Sequence, residues 1–209
     1  MPVYIVRQGD HLASIAHGLG TTPDAVWGLA ANAELRARRG DGAVLHPGDA
    51  LHVPAAPEPR KASLRTGADN AFRATIPRTH VTLRLVADGQ PLAGEPFRAR
   101  ADGLQAEETT DGDGRATVEV RVTTRRASLF LARRNQTLVL DVGGLDPATE
   151  GSGAQMRLAH LGHYRGPIDG VWTDGVRDAL RVFQRARALP ESGGLDEATV
   201  LALREAYGC

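Results

Sequence analysis

Cysteine is almost absent from this chain of 209 residues: the one Cys is Cys209, the last, so no disulfide can close within the chain and no cysteine-based metal cluster can form. Its expected role is that of a bystander or, at most, an intermolecular link. Aromatic side chains are scarce, at 4% of residues. Long apolar runs are missing too. No segment is apolar enough to cross a bilayer, and no membrane insertion is expected. Neither sign of charge prevails: 25 basic side chains offset 25 acidic ones. That balance removes the broad field on which non-specific nucleic-acid binding or attachment to an anionic surface depends. The opening MPVYIVRQGD also lacks the basic stretch, apolar run and small-residue cleavage site of a secretory signal. The chain is therefore expected to be cytoplasmic as synthesised. What it does have is punctuation, with 24 Gly and 12 Pro, which favours several small domains over one of medium size. The expected fold class is multidomain α+β.

The first 54 residues read as β-α-α-β. Tyr4, Ile5 and Val6 are strand formers, Gly9-Asp10 makes a turn, and Asp10 is placed to cap a helix with Leu12, Ile15, Ala16 and Leu19 on its apolar face. Gly18 and Gly20 end that helix. Thr22-Pro23 opens a second one, with Val26, Leu29 and Ala30 inward and Asn32 near its end. A polar loop, the Pro47-Gly48 turn and a strand over 50–53 close the unit, its two strands antiparallel neighbours. The string Tyr4-x-Val6-x-x-Gly9-Asp10-x-Leu12-x-x-Ile15-Ala16, then Asn32, then Leu45-x-Pro47-Gly48-x-x-Leu51-x-Val53-Pro54 resembles a LysM domain over this whole segment. The resemblance implies binding of N-acetylglucosamine-containing glycans, peptidoglycan or chitin, in a shallow groove. Carried onto this chain, the groove is flanked by Gly9, Asp10, His11 and Leu12 on one side and by Leu45, His46 and Pro47 on the other. Gly9, Asp10, Pro47 and Gly48 are also explained as a cap and a tight turn with no ligand at all. His11 stands where the family commonly has a small hydroxyl residue, and residues 33–44 are longer and richer in Arg than the usual connection.

Residues 55–70 are Pro-rich and charged without apolar periodicity, a linker expected to let the two ends move independently. From Phe72 the pattern becomes alternating, in short runs separated by turn residues, and a β-sandwich is expected over 71–146 because one face of each strand must be buried against a second sheet. Asp88-Gly89-Gln90-Pro91-Leu92-Ala93-Gly94 and Thr110-Asp111-Gly112-Asp113-Gly114-Arg115-Ala116 resemble the carboxypeptidase-regulatory or transthyretin-like sandwich family. Asp111 and Asp113 alternate like the start of a calcium loop, but no downstream Glu stands at the required offset, so they read as turn residues.

A bundle of three short helices is expected over 150–209. Ala154, Leu158 and Leu161 share one helical face, which Gly162 ends. Val176, Leu180 and Phe183 line the next helix, with Arg177, Asp178, Arg181 and Gln184 facing water. Asp196 caps a last helix carrying Val200 and Leu203. Gln155-x-x-Leu158-x-x-Leu161-Gly162, Gly166-x-x-Asp169-Gly170, Ala179-Leu180-x-x-Phe183-Gln184 and Gly194-Leu195-Asp196-x-x-Thr199-x-x-x-Leu203 resemble the three-helix peptidoglycan-binding domain. The loop bearing Tyr164, Arg165, Asp169 and Trp172 is the candidate surface, since Tyr and Trp stack on sugar faces and Arg pairs with a peptide carboxylate. Asp169 and Trp172 equally suit holding the loop together.

No catalytic constellation is legible. His160 and His163 are three apart, but Gly162 falls between them and no acidic third ligand is near, so no metal site is expected. Glu107-Glu108 are strand neighbours that point to opposite faces and cannot act as a glycosidase pair. The expectation is a non-enzymatic, cofactor-free chain that binds peptidoglycan or a related N-acetylglucosamine glycan at two ends. The order of its segments resembles small proteins of type VI or related contractile secretion systems, which would supply a non-Sec route to a cell envelope and a spike or effector as partner. The rival expectation is an adaptor that docks secretion-system proteins and never meets a glycan.

Overall fold

The computed structural model describes residues 1–40, 42, 44–55, 57, 63–71 and 75–208. Much of the expected linker, the expected start of the middle segment at Phe72, and Cys209 lie outside the described residues. The fold is mixed, and among the described residues every strand pair is antiparallel. It separates into two compact units: Val3–Leu12 with Leu29–His52 and Gly144–Cys209, and Met1–Pro2 with Ala13–Gly28 and Val53–Gly143.

In the first unit, β1 (Val3–Ile5) pairs with β2 (Ala50–His52), placing Tyr4 opposite Leu51. Helices α1 (Leu12–Gly18) and α2 (Pro23–Trp27) follow β1 in the chain and, from Ala13 on, are grouped with the second unit. Thr22 caps α2 with its hydroxyl oxygen accepting from the Ala25 N–H at 3.2 Å, and Pro23 stands at the first turn as the motif requires. That helix stops at Trp27, earlier than the sequence predicts. Leu29 is only half-buried and Ala30 is exposed, in a short 3₁₀ turn over Ala30–Asn32. The predicted polar loop is instead helical: α3 (Ala33–Arg39) has the sequence AELRARR, all strong helix formers, and ends at Gly40 with φ 77°. Asn32 is buried and ties this region to β2, its amide donating to the His52 carbonyl and accepting from the His52 N–H, both at 2.8 Å.

The C-terminal part of the same unit is α4 (Gly151–His160), α5 (Asp174–Ala186) and α6 (Glu197–Tyr207) around Ala154, Leu158, Tyr164, Val176, Leu180, Phe183 and Leu203. Thr173 caps α5 through the Val176 N–H and Asp196 caps α6 through the Thr199 N–H.

The second unit is mostly strands: β3 (Arg78–Arg84), β4 (Val86–Ala87), β5 (Gln90–Pro91), β6 (Pro96–Ala101), β7 (Leu104–Thr109), β8 (Arg115–Arg121), β9 (Arg126–Leu131) and β10 (Gln136–Asp141). Four of them form a sheet in the order β10-β9-β6-β7, while β3 pairs with β8 and β4 with β5. Alternation decides which side chains go in: Phe97, Ala99 and Ala101 of β6, Ala116, Val118 and Val120 of β8, and Ala127, Leu129 and Leu131 of β9 share one core. The Asp111 carboxylate accepts from the Asp113 and Arg115 N–H groups, which makes it the organiser of the β7–β8 turn.

Candidate functional site

The candidate surface of the C-terminal segment is the connection from α4 to α5, and a buried glutamine shapes it. Gln155 on α4 is buried, and its side-chain amide is spent wholly on that loop. The oxygen accepts the Asp169 and Gly170 N–H groups at 2.9 and 2.8 Å, and the nitrogen donates to the Asp169 carboxylate at 3.2 Å and the Val171 carbonyl at 2.9 Å. The same carboxylate accepts the Val171 N–H. Asp169 thus holds the loop together.

One glycine lets the loop sit this close: a Cβ on Gly151 would meet the Gly170 carbonyl oxygen at 2.7 Å. Gly153 allows a like approach by the segment ahead of α4, since a Cβ there would meet the Pro147 carbonyl oxygen at 2.0 Å. Tyr164, expected on the surface, is turned inward. Its ring belongs to the bundle core and its hydroxyl donates to the Pro167 carbonyl at 3.1 Å. Gly166 is Gly because a Cβ there would lie 2.3 Å from the Tyr164 hydroxyl. Exposed on the loop are Arg165, Pro167, Asp169 and three large apolar side chains, Ile168, Val171 and Trp172, the last three by 43, 57 and 36%. The sequence singled out Trp172 and Arg165 and passed over Ile168 and Val171. The signal was there, since apolar residues without helical or strand period inside a turn-rich loop have no core to serve.

Gln184, expected to face water, is a second buried clamp. Its nitrogen donates to the Ser192 and Thr199 hydroxyls and the Gly194 carbonyl, and its oxygen accepts the Gly193 N–H, fixing the α5–α6 loop. The two neighbouring histidines are engaged separately. His160 stacks on Tyr207 with its Nδ1 2.8 Å from the tyrosine hydroxyl, while His163 meets Phe183 edge-on. Burial, reinforced by Arg157 for His160 and by Arg187 for His163, holds both imidazoles below their usual pKa.

At the N-terminal end, Val6, just ahead of the Gly9-Asp10 turn, is bonded to the residues that follow Pro47. The Val6 N–H donates to the Asp49 carbonyl at 3.0 Å, and the Val6 carbonyl accepts from the Gly48 N–H at 2.8 Å. Gly9 and Gly48 hold φ of 80° and 95°, which fits glycine at both turns. Asp10 is buried, with Oδ2 accepting the Arg7 N–H at 2.9 Å and the Tyr4 hydroxyl at 2.8 Å, so its carboxylate braces the loop ahead of α1. Leu45 is also buried, among the core residues. Neither side chain can face a ligand, and both act by shaping backbone. His11, Leu12, His46 and Pro47 are half-buried at the rim.

One polar cluster had no local sequence signal. The Arg39 guanidinium grips Asp49 with Nε and Nη2 at 3.0 and 2.9 Å and reaches Glu150 with Nη1 at 2.9 Å. The side chains of Arg39, Asp49 and Glu150 are 6, 4 and 37% exposed. Burial alone would raise the Asp49 pKa, but the hydrogen bonds from Arg39 and from the His46 N–H outweigh it and hold the carboxyl below its usual range. Residues 39 and 150 belong to the two ends that the linker was expected to leave independent. They are ion-paired.

Residues 152–203 match the model of a family described as "Putative peptidoglycan binding domain". Among curated proteins, the chain is 30% identical over 106 residues to "Localization factor PodJL" of Caulobacter vibrioides, in two strains, covering 49% of this chain and 10% of that protein. It is 39% identical over 75 residues to "Putative OxPP cycle protein OpcA" of Nostoc punctiforme, covering 31% of this chain and 16% of that one. The chain therefore spans between 10 and 16% of the length of these curated relatives. No solved structure matches it. The match covers nearly all of α4, the Gln155-clamped loop, α5 and most of α6, so the C-terminal segment is similar to that peptidoglycan-binding family over its three helices.

Proposed function

We propose that this chain is a non-catalytic peptidoglycan-binding protein whose primary contact is the loop over 165–172. The carrying observation is the family match over the helices that frame this loop, together with the exposure of Ile168, Val171 and Trp172 on it. A flat aromatic beside two aliphatic side chains suits the apolar face of a sugar ring, and Arg165 suits a stem-peptide carboxylate. The N-terminal 54 residues, read as a LysM module, add a second glycan contact built from the backbone of Gly9, His11, Leu12, His46 and Pro47. Small turn residues expose the N–H and C=O groups an acetamido group needs. The segment over 71–146, read as a sandwich, spaces these ends in the chain. Association with a contractile secretion machine of the type VI kind is supported by the order of the segments.

Co-sedimentation with isolated bacterial sacculi, with chitin as a parallel polymer, tests the proposal. The protein should pellet with sacculi, and Trp172→Ala, folded by circular dichroism, should weaken retention about tenfold, roughly the loss of one good stacking contact. No retention on either polymer would sink the glycan reading. It would promote the second one, an adaptor, which the likeness to a protein named as a localization factor favours. An adaptor should co-purify with a protein partner through the same loop.

A further inference from the structure

Resting on the peptidoglycan reading, we infer that Arg39 is a positioning residue that makes one bipartite site of the two candidate loops, for a single polymer strand. Two modules on a flexible tether would carry their charged residues outward, into water. Arg39 instead lies buried at the end of α3, and its guanidinium bonds a carboxylate from each side of the junction, Asp49 and Glu150, the latter 111 positions away in sequence. Its Nη1 also lies 3.3 Å from the Thr149 hydroxyl.

Both partners lead directly to the proposed binding loops. Asp49 Oδ2 accepts the His46 N–H at 2.9 Å and so sets the His46-Pro47 turn. Glu150 precedes Gly151, whose backbone packs against the Gly170 carbonyl so closely that a Cβ would come within 2.7 Å of it. From His46 to Gly170 the path runs through hydrogen bonds to Asp49, Arg39 and Glu150 and then through backbone packing of Gly151 on Gly170. A second seat lies beside it: a Cβ on Gly40 would stand 3.2 Å from Nη2 of Arg204 on α6. The fork geometry of an arginine held on two oxygens fixes direction as well as distance, which a lysine could not do. The two loops therefore meet a repeating polymer at a set spacing, and the second contact needs no ordering of a linker.

The test uses the full chain with Cys209→Ser and spin labels at Ala37→Cys and Val182→Cys, both exposed and away from the loops. A single narrow distance is expected, broadening in Arg39→Ala, and a broad distribution in the parent overturns the inference. Binding then separates positioning from folding. Arg39→Ala should lose about tenfold or more in affinity for sacculi, yet change less than about twofold toward a soluble disaccharide–peptide fragment. Equal losses on both ligands, or none on either, overturn it. Should Arg39→Ala unfold, Glu150→Gln keeps the Arg39–Asp49 pair and should shift the same two readouts in the same directions. A parent protein that fails to pellet with sacculi defeats the peptidoglycan reading and the bipartite site with it, whereas narrow distances lost in Arg39→Ala would still identify the joint.

Discussion

Gln155 shows how much of a surface one buried side chain can specify. Its amide answers three backbone groups and one carboxylate of a single loop. Gln155→Leu keeps the volume but leaves those loop groups facing a methyl pair, and an unsatisfied buried polar group costs about 1–3 kcal/mol. A loss of roughly 2–4 kcal/mol in urea unfolding, with the slope unchanged, is the expected outcome. A loss under about 0.5 kcal/mol would mean that water replaces the amide at no cost. The family string contains this glutamine, yet nothing in its neighbourhood says that it is buried. The same is true of Gln184, which helical periodicity assigns to the wet face. Burial of a polar residue is decided by what returns to cover it, 14 and 15 positions onward for Gln155, and a local pattern carries no record of that. Tyr164 was misjudged for the converse reason: an aromatic beside a glycine in a loop looks available until the close approach of Gly166 is known.

At the level of elements, legibility follows the strength of local rules. The strands from β6 to β10 stand where alternation puts them, and the caps at Thr22 and Asp196 were readable, whereas the Thr173 cap of α5 went unread inside a loop. The helix α3 was missed because its charge and length suggested a loop, although Ala, Glu, Leu and Arg followed by Gly40 are ordinary helix-with-stop composition. Thr173→Ala removes the bond to the Val176 N–H that starts α5 and should cost about 1 kcal/mol in chemical denaturation, with Thr173→Ser recovering most of it. The contacts of His160 with α6 and of His163 with α5 carry a pH signature. His160 and His163 are held below the ordinary histidine pKa when folded, so the unfolded chain takes up protons first as pH falls. Their contribution is complete above about 6.5 and is lost as pH drops through that value toward the folded pKa. The thermal midpoint should therefore be lower at pH 5 than at pH 7.5, and His160→Gln should narrow the gap. An unchanged gap in that variant would remove His160 as a source.

For the whole molecule, composition was informative mainly by exclusion. Equal numbers of acidic and basic residues left no general field to attract a polyanion, which turned attention to shaped loops. Composition could not show that the first and last segments share a compact unit. Within that unit Arg39 bridges the two segments, yet it is one of many arginines in a chain with a single Lys, at position 61, and nothing in the sequence marks it out. A Pro-rich stretch between two modules suggests independent ends. The ion pair between residues 39 and 150 overrides it, because chain flexibility in one segment sets no limit on contacts made by the segments on either side. The Gln155 clamp has a kinetic corollary. A loop already ordered before any ligand arrives loses little conformational freedom on contact, so encounter and orientation govern its association rate, and differences among ligands appear chiefly in how long each one stays.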